Sequence, residues 1–162
     1  MYDGLSKQYK IVVVERSGYG YSEGTSKSRD VSEVLSETRQ AIAKVHVSGP
    51  YIILSHSMAS LETLLWQEKY PSEIQAVIVL DWALPESYYQ IKMHPQMLSM
   101  ARWGSQLGLL RYLPSRLYMP NENLSSSDRR LYQRIAYRQI LSQAMLMRVY
   151  LLREMLKRLI LR

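Results

Sequence analysis

The stretch "ILSHSMAS", residues 53–60, decides how this chain is read. An apolar run leads into two serines flanking a histidine, and a helix-like pattern follows. A serine hydroxyl is a poor nucleophile until a base takes its proton and donors hold the resulting oxyanion. One structural solution is a sharp turn between a strand and a helix. It lifts the serine clear of the backbone and aims the helix N-terminal amides at the same point. Such a turn needs small residues two before and two after the nucleophile, because chain segments approach closely there. Around Ser57 those positions hold Ser55 and Ala59.

Working outward, "YKIVVVE" (Tyr9–Glu15) is a continuous β-branched run of the kind found in strands buried on both faces. The Gly/Ser-rich "RSGYGYSEGTSKS" after it reads as a turn region. Asp30, with Glu33 three residues on, forms a capping-box pattern. The spacing then predicts a helix from Val31 to about His46, with Val31, Val34, Leu35, Thr38, Ile42 and Val45 on one face and "SGP" at its end. "YIIL" predicts a second strand. A helix follows from after Ser57 to Tyr70, where Pro71 stops it, and "AVIVLD" (Ala76–Asp81) predicts a third strand. Strand, helix, strand, helix, strand with short connections implies parallel pairing and right-handed crossovers. This region reads as α/β.

From about residue 95 to 162 only helical periodicity is visible, interrupted by Gly104, Gly108, Pro114 and Pro120. Ser127 or Asp128 is placed to cap a last helix or helix pair. The charge is divided in the same way. Residues 1–100 hold nine Lys/Arg against eleven Asp/Glu, a balance of −2, and residues 101–162 hold twelve against three, a balance of +9. A basic, Met- and Leu-rich segment can contact an anionic membrane surface, and the alternative is a solvated cationic helix face. No nucleic-acid motif accompanies the charge. The chain of 162 residues has no cysteine, which excludes a disulfide scaffold or a cysteine metal site. It shows no secretory signal pattern and no run of about 18 apolar residues. The expected location is cytoplasmic.

On these residues the chain resembles the α/β-hydrolase fold family. "SHSMAS" is similar to that family's nucleophile elbow G-H-S-M-G-G, with Ser55, Ala59 and Ser60 in place of the three glycines. "VVVERSGYGYSEG" resembles its strand and loop D-x-P-G-x-G-x-S, with Glu15 and Ser17 replacing Asp and Pro. "GPYIILSHSMASLETLLWQEKYPSEIQAVIVLD" resembles its elbow, helix and next strand in order and spacing. The nearest likeness is to esterase- or aminopeptidase-like hydrolases, over roughly Tyr9 to Tyr89. Side chains at positions 55 and 59 imply some loss of elbow geometry, because the backbone there is crowded.

The resemblance implies a partial α/β-hydrolase core over residues 1–90, a parallel sheet of three strands with crossover helices, and a basic all-helical cap over residues 91–162. Ser57 would be the nucleophile and the Met58 N–H one oxyanion donor. The substrate would be a small-molecule ester or amide, hydrolysed through an acyl-Ser57 intermediate with neither metal nor cofactor. Asp81, at the end of the third strand, is either the catalytic acid or a carboxylate capping the next turn. His94 is a poor match for the base, because the family's histidine follows its final strand. His56 adjoins the nucleophile but points away from it, and His46 reads as surface. The histidine region and the upstream oxyanion loop of the family have no counterpart here. The expectation is therefore a truncated, internal portion with little or no activity. The competing expectation is a non-enzymatic remnant whose basic amphipathic helices bind a membrane surface or a protein partner through residues 101–162. Oligomeric state is open.

Overall fold

The computed structural model describes residues 2–83, 95–112, 124–139 and 145. The chain divides into two compact units, Met1–Arg16 with Val31–Ala83, and Ser17–Asp30 with Leu84–Arg162.

The first unit holds a short helix α1 (Tyr2–Leu5), then α2 (Val31–Lys44), β1 (Tyr51–Ser57), α3 (Ala59–Lys69), a 3-10 turn (Pro71–Glu73) and β2 (Ile74–Trp82). β1 and β2 pair in parallel, with Ile53 beside Val77 and Leu54 beside Ile78. Alternation along each strand then sorts the faces. Tyr51, Ile53 and Ser55 turn inward. Ile52, Leu54, Ile78 and Leu80 are exposed, so one face of this small sheet carries uncovered apolar side chains, and Trp82 at the end of β2 is exposed as well. The core lies against the inward face. Leu35 and Ile42 from α2 meet Trp66 from α3, with Val14, Tyr51, Ile53, Leu65, Tyr70 and Ile74 packed around them.

The three-strand expectation is corrected here. Among the described residues the sheet has two strands, and Tyr9–Glu15 is not one of them. Val13 in that run is 75% exposed, and Val14 alone of its valines joins the core. A β-branched run fits a pleated surface, but a strand exists only where a neighbour accepts its hydrogen bonds. The described residues therefore do not form the partial α/β-hydrolase sheet under a helical cap. The two strands that do pair are longer than the apolar runs that announced them. β1 continues through Ser55 and His56 to Ser57, and β2 starts at Ile74.

The helix from Val31 stops at Lys44, before "SGP". His46 takes a left-handed φ of 53°. Its N–H donates to the Ala43 carbonyl at 3.0 Å, and the Val47 N–H to the Ile42 carbonyl at 3.4 Å. These are the two bonds of a Schellman cap. The reversal leaves Val45 exposed, although the helical spacing had placed it on the apolar face. Gly49 follows where a side chain has no room, since a Cβ there would sit 2.9 Å from the Glu73 carbonyl oxygen.

Arg39 of α2 ties the end of α3 and the turn after it to the core. Its Nε donates to Glu73 Oε2 at 3.0 Å, and its guanidinium lies 3.5 Å from the Tyr70 ring centroid. Glu73 Oε2 also accepts the Trp66 indole N–H at 2.7 Å. The Arg39 hydrogen bond, with help from Trp66, holds the Glu73 carboxyl below its ordinary pKa, and Glu73 raises that of Arg39. A carboxyl with a lowered folded pKa adds stability above its unfolded pKa and loses it as pH falls through the folded value. Glu73→Gln should therefore melt below the wild type at pH 7. The gap should close as pH is lowered through and below the carboxylate range, as read by melting curves of both proteins between pH 7 and 3. A gap independent of pH would refute the brace.

The second unit holds α4 (Pro95–Gln106), a 3-10 turn (Leu109–Tyr112) and α5 (Ser126–Gln139) among its described residues. Ser125 caps α5, its Oγ accepting the Asp128 N–H at 3.1 Å. The Ser17–Asp30 loop turns on Gly18 and Gly20, both with positive φ. Among the described residues, no helix is long and apolar enough to cross a membrane.

Candidate functional site

Ser57 is the last residue of β1, and α3 begins two residues later. Its φ is 52°. Left-handed backbone is uncommon outside glycine, and it costs energy unless the surroundings hold it. The strand-to-helix reversal is therefore sharp, and it centres on the serine that the sequence singled out. Met58 is the N-cap residue of α3, in right-handed helical backbone, with no side-chain cap. Amides of an uncapped first turn point along the helix axis toward the turn, where the macrodipole favours negative charge.

The carboxyl end of β2 is distorted beside it. His56 is level with Leu80, but Ser57 is level with Trp82, so Asp81 is passed over in the register. Asp81 has a φ of 56° and is exposed. The extra residue is a bulge, which bends the strand and re-aims a side chain. Two non-glycine residues with left-handed backbone thus stand at adjacent strand ends.

The hydroxyl of Ser60 spans the two ends. Ser60 has no exposed surface. Its Oγ donates to the Ser57 carbonyl at 2.8 Å and accepts the Ala83 N–H at 3.2 Å. A second tie comes from Arg16. Its Nη2 and Nε donate to Glu62 Oε2 at 2.6 and 3.1 Å, which fixes the segment after Val14 to the first turn of α3. Glu62 is buried, and a carboxylate at this place suits the helix N-terminus. Sequence reasoning found neither tie. Ser60 was legible only as a replaced glycine, and residues 46 apart in the chain give no local signal of pairing.

The other candidates are placed as follows. Among the described residues, no hydrogen bond joins Ser57 Oγ to a histidine or a carboxylate. His56 is exposed and, one residue along the strand, faces the side of the sheet opposite Ser57. His46 is exposed at the end of α2, and His94 lies outside the described residues. Asp81 is brought to the strand end next to Ser57, but among the described residues its carboxylate holds no hydrogen bond. A cleft of about 340 Å³ lies elsewhere, lined by Arg39, Gln40, Val47, Tyr51, Trp66 and Glu73. It opens at the amino end of β1, whereas ligands of parallel α/β units gather at the carboxyl ends. The ion pair and ring contacts within it serve packing.

Ser55 lies two residues before Ser57 on β1. Its side chain is buried, 3% exposed, and its Oγ has no hydrogen-bond partner. A buried hydroxyl left unpaired costs about 1–3 kcal/mol. Ser55→Ala keeps the Cβ and removes the orphan, so it should raise stability by about 1 kcal/mol in urea unfolding. A loss of stability would mean that the hydroxyl is paired in solution.

The chain is similar to the uncharacterized protein YbdG of Bacillus subtilis, 35% identical over 152 residues, which span 90% of this chain and 47% of YbdG. It is also similar to an uncharacterized protein of Schizosaccharomyces pombe, 27% identical over 116 residues, and to the uncharacterized protein YqjL of Bacillus subtilis, 28% over 80 residues. These alignments cover 68% and 49% of this chain. The chain spans about half the length of YbdG and less of the other two, 21% and 32%. No protein-family model matches it. No solved structure matches it either.

Proposed function

We propose that this chain carries a serine acyl-transfer site, with Ser57 as nucleophile and an ester or amide as substrate. The observation that carries the reading is the left-handed φ of 52° at Ser57, between the carboxyl end of a parallel strand and the start of a helix. Strain at a non-glycine residue persists only where the fold holds it, and it gathers at functional positions. The small, hydroxyl-bearing side chain at that reversal favours nucleophilic chemistry over a packing role.

In this reading Ser57 Oγ attacks the carbonyl carbon, and a base accepts its proton. The C–O bond to the enzyme forms while the carbonyl oxygen takes the charge, held by the Met58 N–H and the first turn of α3. Collapse expels the alcohol or amine, which leaves with the proton. Water then repeats the sequence, releasing the acid and restoring Ser57. In this reading Asp81, at the end of β2, would be the carboxylate that orients the base.

The test is covalent labelling by a fluorophosphonate, with the modified peptide mapped, beside burst kinetics on a p-nitrophenyl ester. The expected result is a single adduct on Ser57 and a burst that stays within one equivalent of enzyme. Absence of an adduct on Ser57, in protein whose circular dichroism shows it folded, would overturn the proposal.

A further inference from the structure

Ser60 does two things at once. From one oxygen with no exposed surface, it holds the carbonyl of the strained Ser57 at 2.8 Å and the backbone of Ala83, just past the β2 bulge, at 3.2 Å. Both capacities of the hydroxyl are used as geometry allows, one proton given and one received. The residue at this position in the elbow pattern is glycine, which has no such bonds to offer. Here α3 has no side-chain cap at Met58, and Ser55 contributes an orphaned hydroxyl rather than a tie. Ser60 therefore supplies a side-chain tie between the turn at Ser57 and the end of β2.

We infer that Ser60 is a positioning residue for Ser57. Its hydroxyl clamps the Ser57 peptide unit in left-handed backbone and fixes it against the carboxyl end of β2, which keeps Ser57 Oγ and the Met58 N–H aimed at one point. The inference rests on the acyl-transfer reading and adds to it a specific dependence on a buried neighbour. It follows that loss of the hydroxyl slows the covalent step without weakening initial binding of the reagent. The reagent contacts Ser57 and the helix turn, whereas Ser60 is out of reach beneath them.

The experiment compares the wild type, Ser60→Ala and Ser60→Gly in fluorophosphonate labelling. The maximal labelling rate and the half-saturating concentration are resolved separately and corrected for the folded fraction from circular dichroism. The expected result for both variants is a maximal rate lower by about 10-fold or more, with the half-saturating concentration within about twofold of the wild type. Ser60→Gly serves as the second variant because it creates no new contact and restores the residue of the elbow pattern. Wild-type labelling matched by both variants per folded molecule would overturn the positioning role and leave the acyl-transfer reading standing. A fall in melting temperature with an unchanged labelling rate has the same meaning. No adduct on Ser57 in the wild type itself would overturn both.

Discussion

Replacing Ser57 with glycine should abolish fluorophosphonate labelling and raise the melting temperature in the same protein. The two effects have one origin. At a φ of 52° a residue with a Cβ is crowded against its own carbonyl, at about 1–2 kcal/mol. Glycine has no Cβ and enters this region without that cost, but it brings back about 0.5–1 kcal/mol of chain entropy in the unfolded state. The net gain is about 0.5–1 kcal/mol, or about 1–4 °C in a domain of this size. The carbonyl that Ser60 holds belongs to the backbone and survives the change, so no contact is lost to offset the gain. Ser57→Ala keeps the strain and loses only the hydroxyl. It should lose labelling to the same background while melting with the wild type. The order expected from circular dichroism is therefore glycine above alanine, with both variants unlabelled. If Ser57→Gly melts below Ser57→Ala, the left-handed backbone at this position is not that of the folded protein. The argument for a strained nucleophile then fails.

Trp66→Ala should produce the largest loss of stability, about 3–5 kcal/mol, measured as a shift of the urea midpoint with the slope of the transition unchanged. Trp66 is 5% exposed and stands at the centre of the core, between Leu35 and Ile42. Its ring lies 5.6 Å from that of Tyr51, tilted by 60°. Truncation therefore empties a site walled by two helices and a strand, which cannot collapse onto it without moving α2 or β1. Removing the indole also leaves Glu73 short of one donor. Trp66→Phe separates these contributions, because it keeps most of the volume and loses the indole N–H. It should cost about 1.5–3 kcal/mol, the worth of one hydrogen bond to a charged group with little misfit. Against a total of about 5–15 kcal/mol, the alanine variant sits near the edge of folding. A cost below about 1 kcal/mol would show that α2 and α3 do not pack through this residue.

Much of the first unit was legible in the sequence for local reasons. Pro71 marks the end of α3 because proline cannot continue a helix. Val31, Val34, Leu35 and Ile42 were readable as a buried face because they recur at the helical period. The turn after Ser57 was readable because small residues surround a hydroxyl between an apolar run and a helix pattern. The end of α2 was not, since the residue that reverses the chain is His46 rather than the glycine or asparagine usual at that place. The bulge at Asp81 was equally silent. It is a property of two strands slipping past one another, visible only when His56 and Ser57 are set against their partners in β2.

Tyr9–Glu15 marks the boundary between the two kinds of information. By composition it is the most strand-like run in the chain, yet the described sheet forms without it and Val13 is left largely exposed. Propensity and periodicity are short-range properties, so the sequence by itself determined that helices begin near Val31 and just after Ser57, most of the apolar face of the first, and which serine stands at a sharp turn. Pairing is a long-range property, because a backbone hydrogen bond takes its partner from anywhere in the chain. Only the tertiary structure decided that β1 and β2 pair without Tyr9–Glu15, that Arg16 meets Glu62, and that one buried hydroxyl at Ser60 joins a strained serine to the bulged end of the next strand.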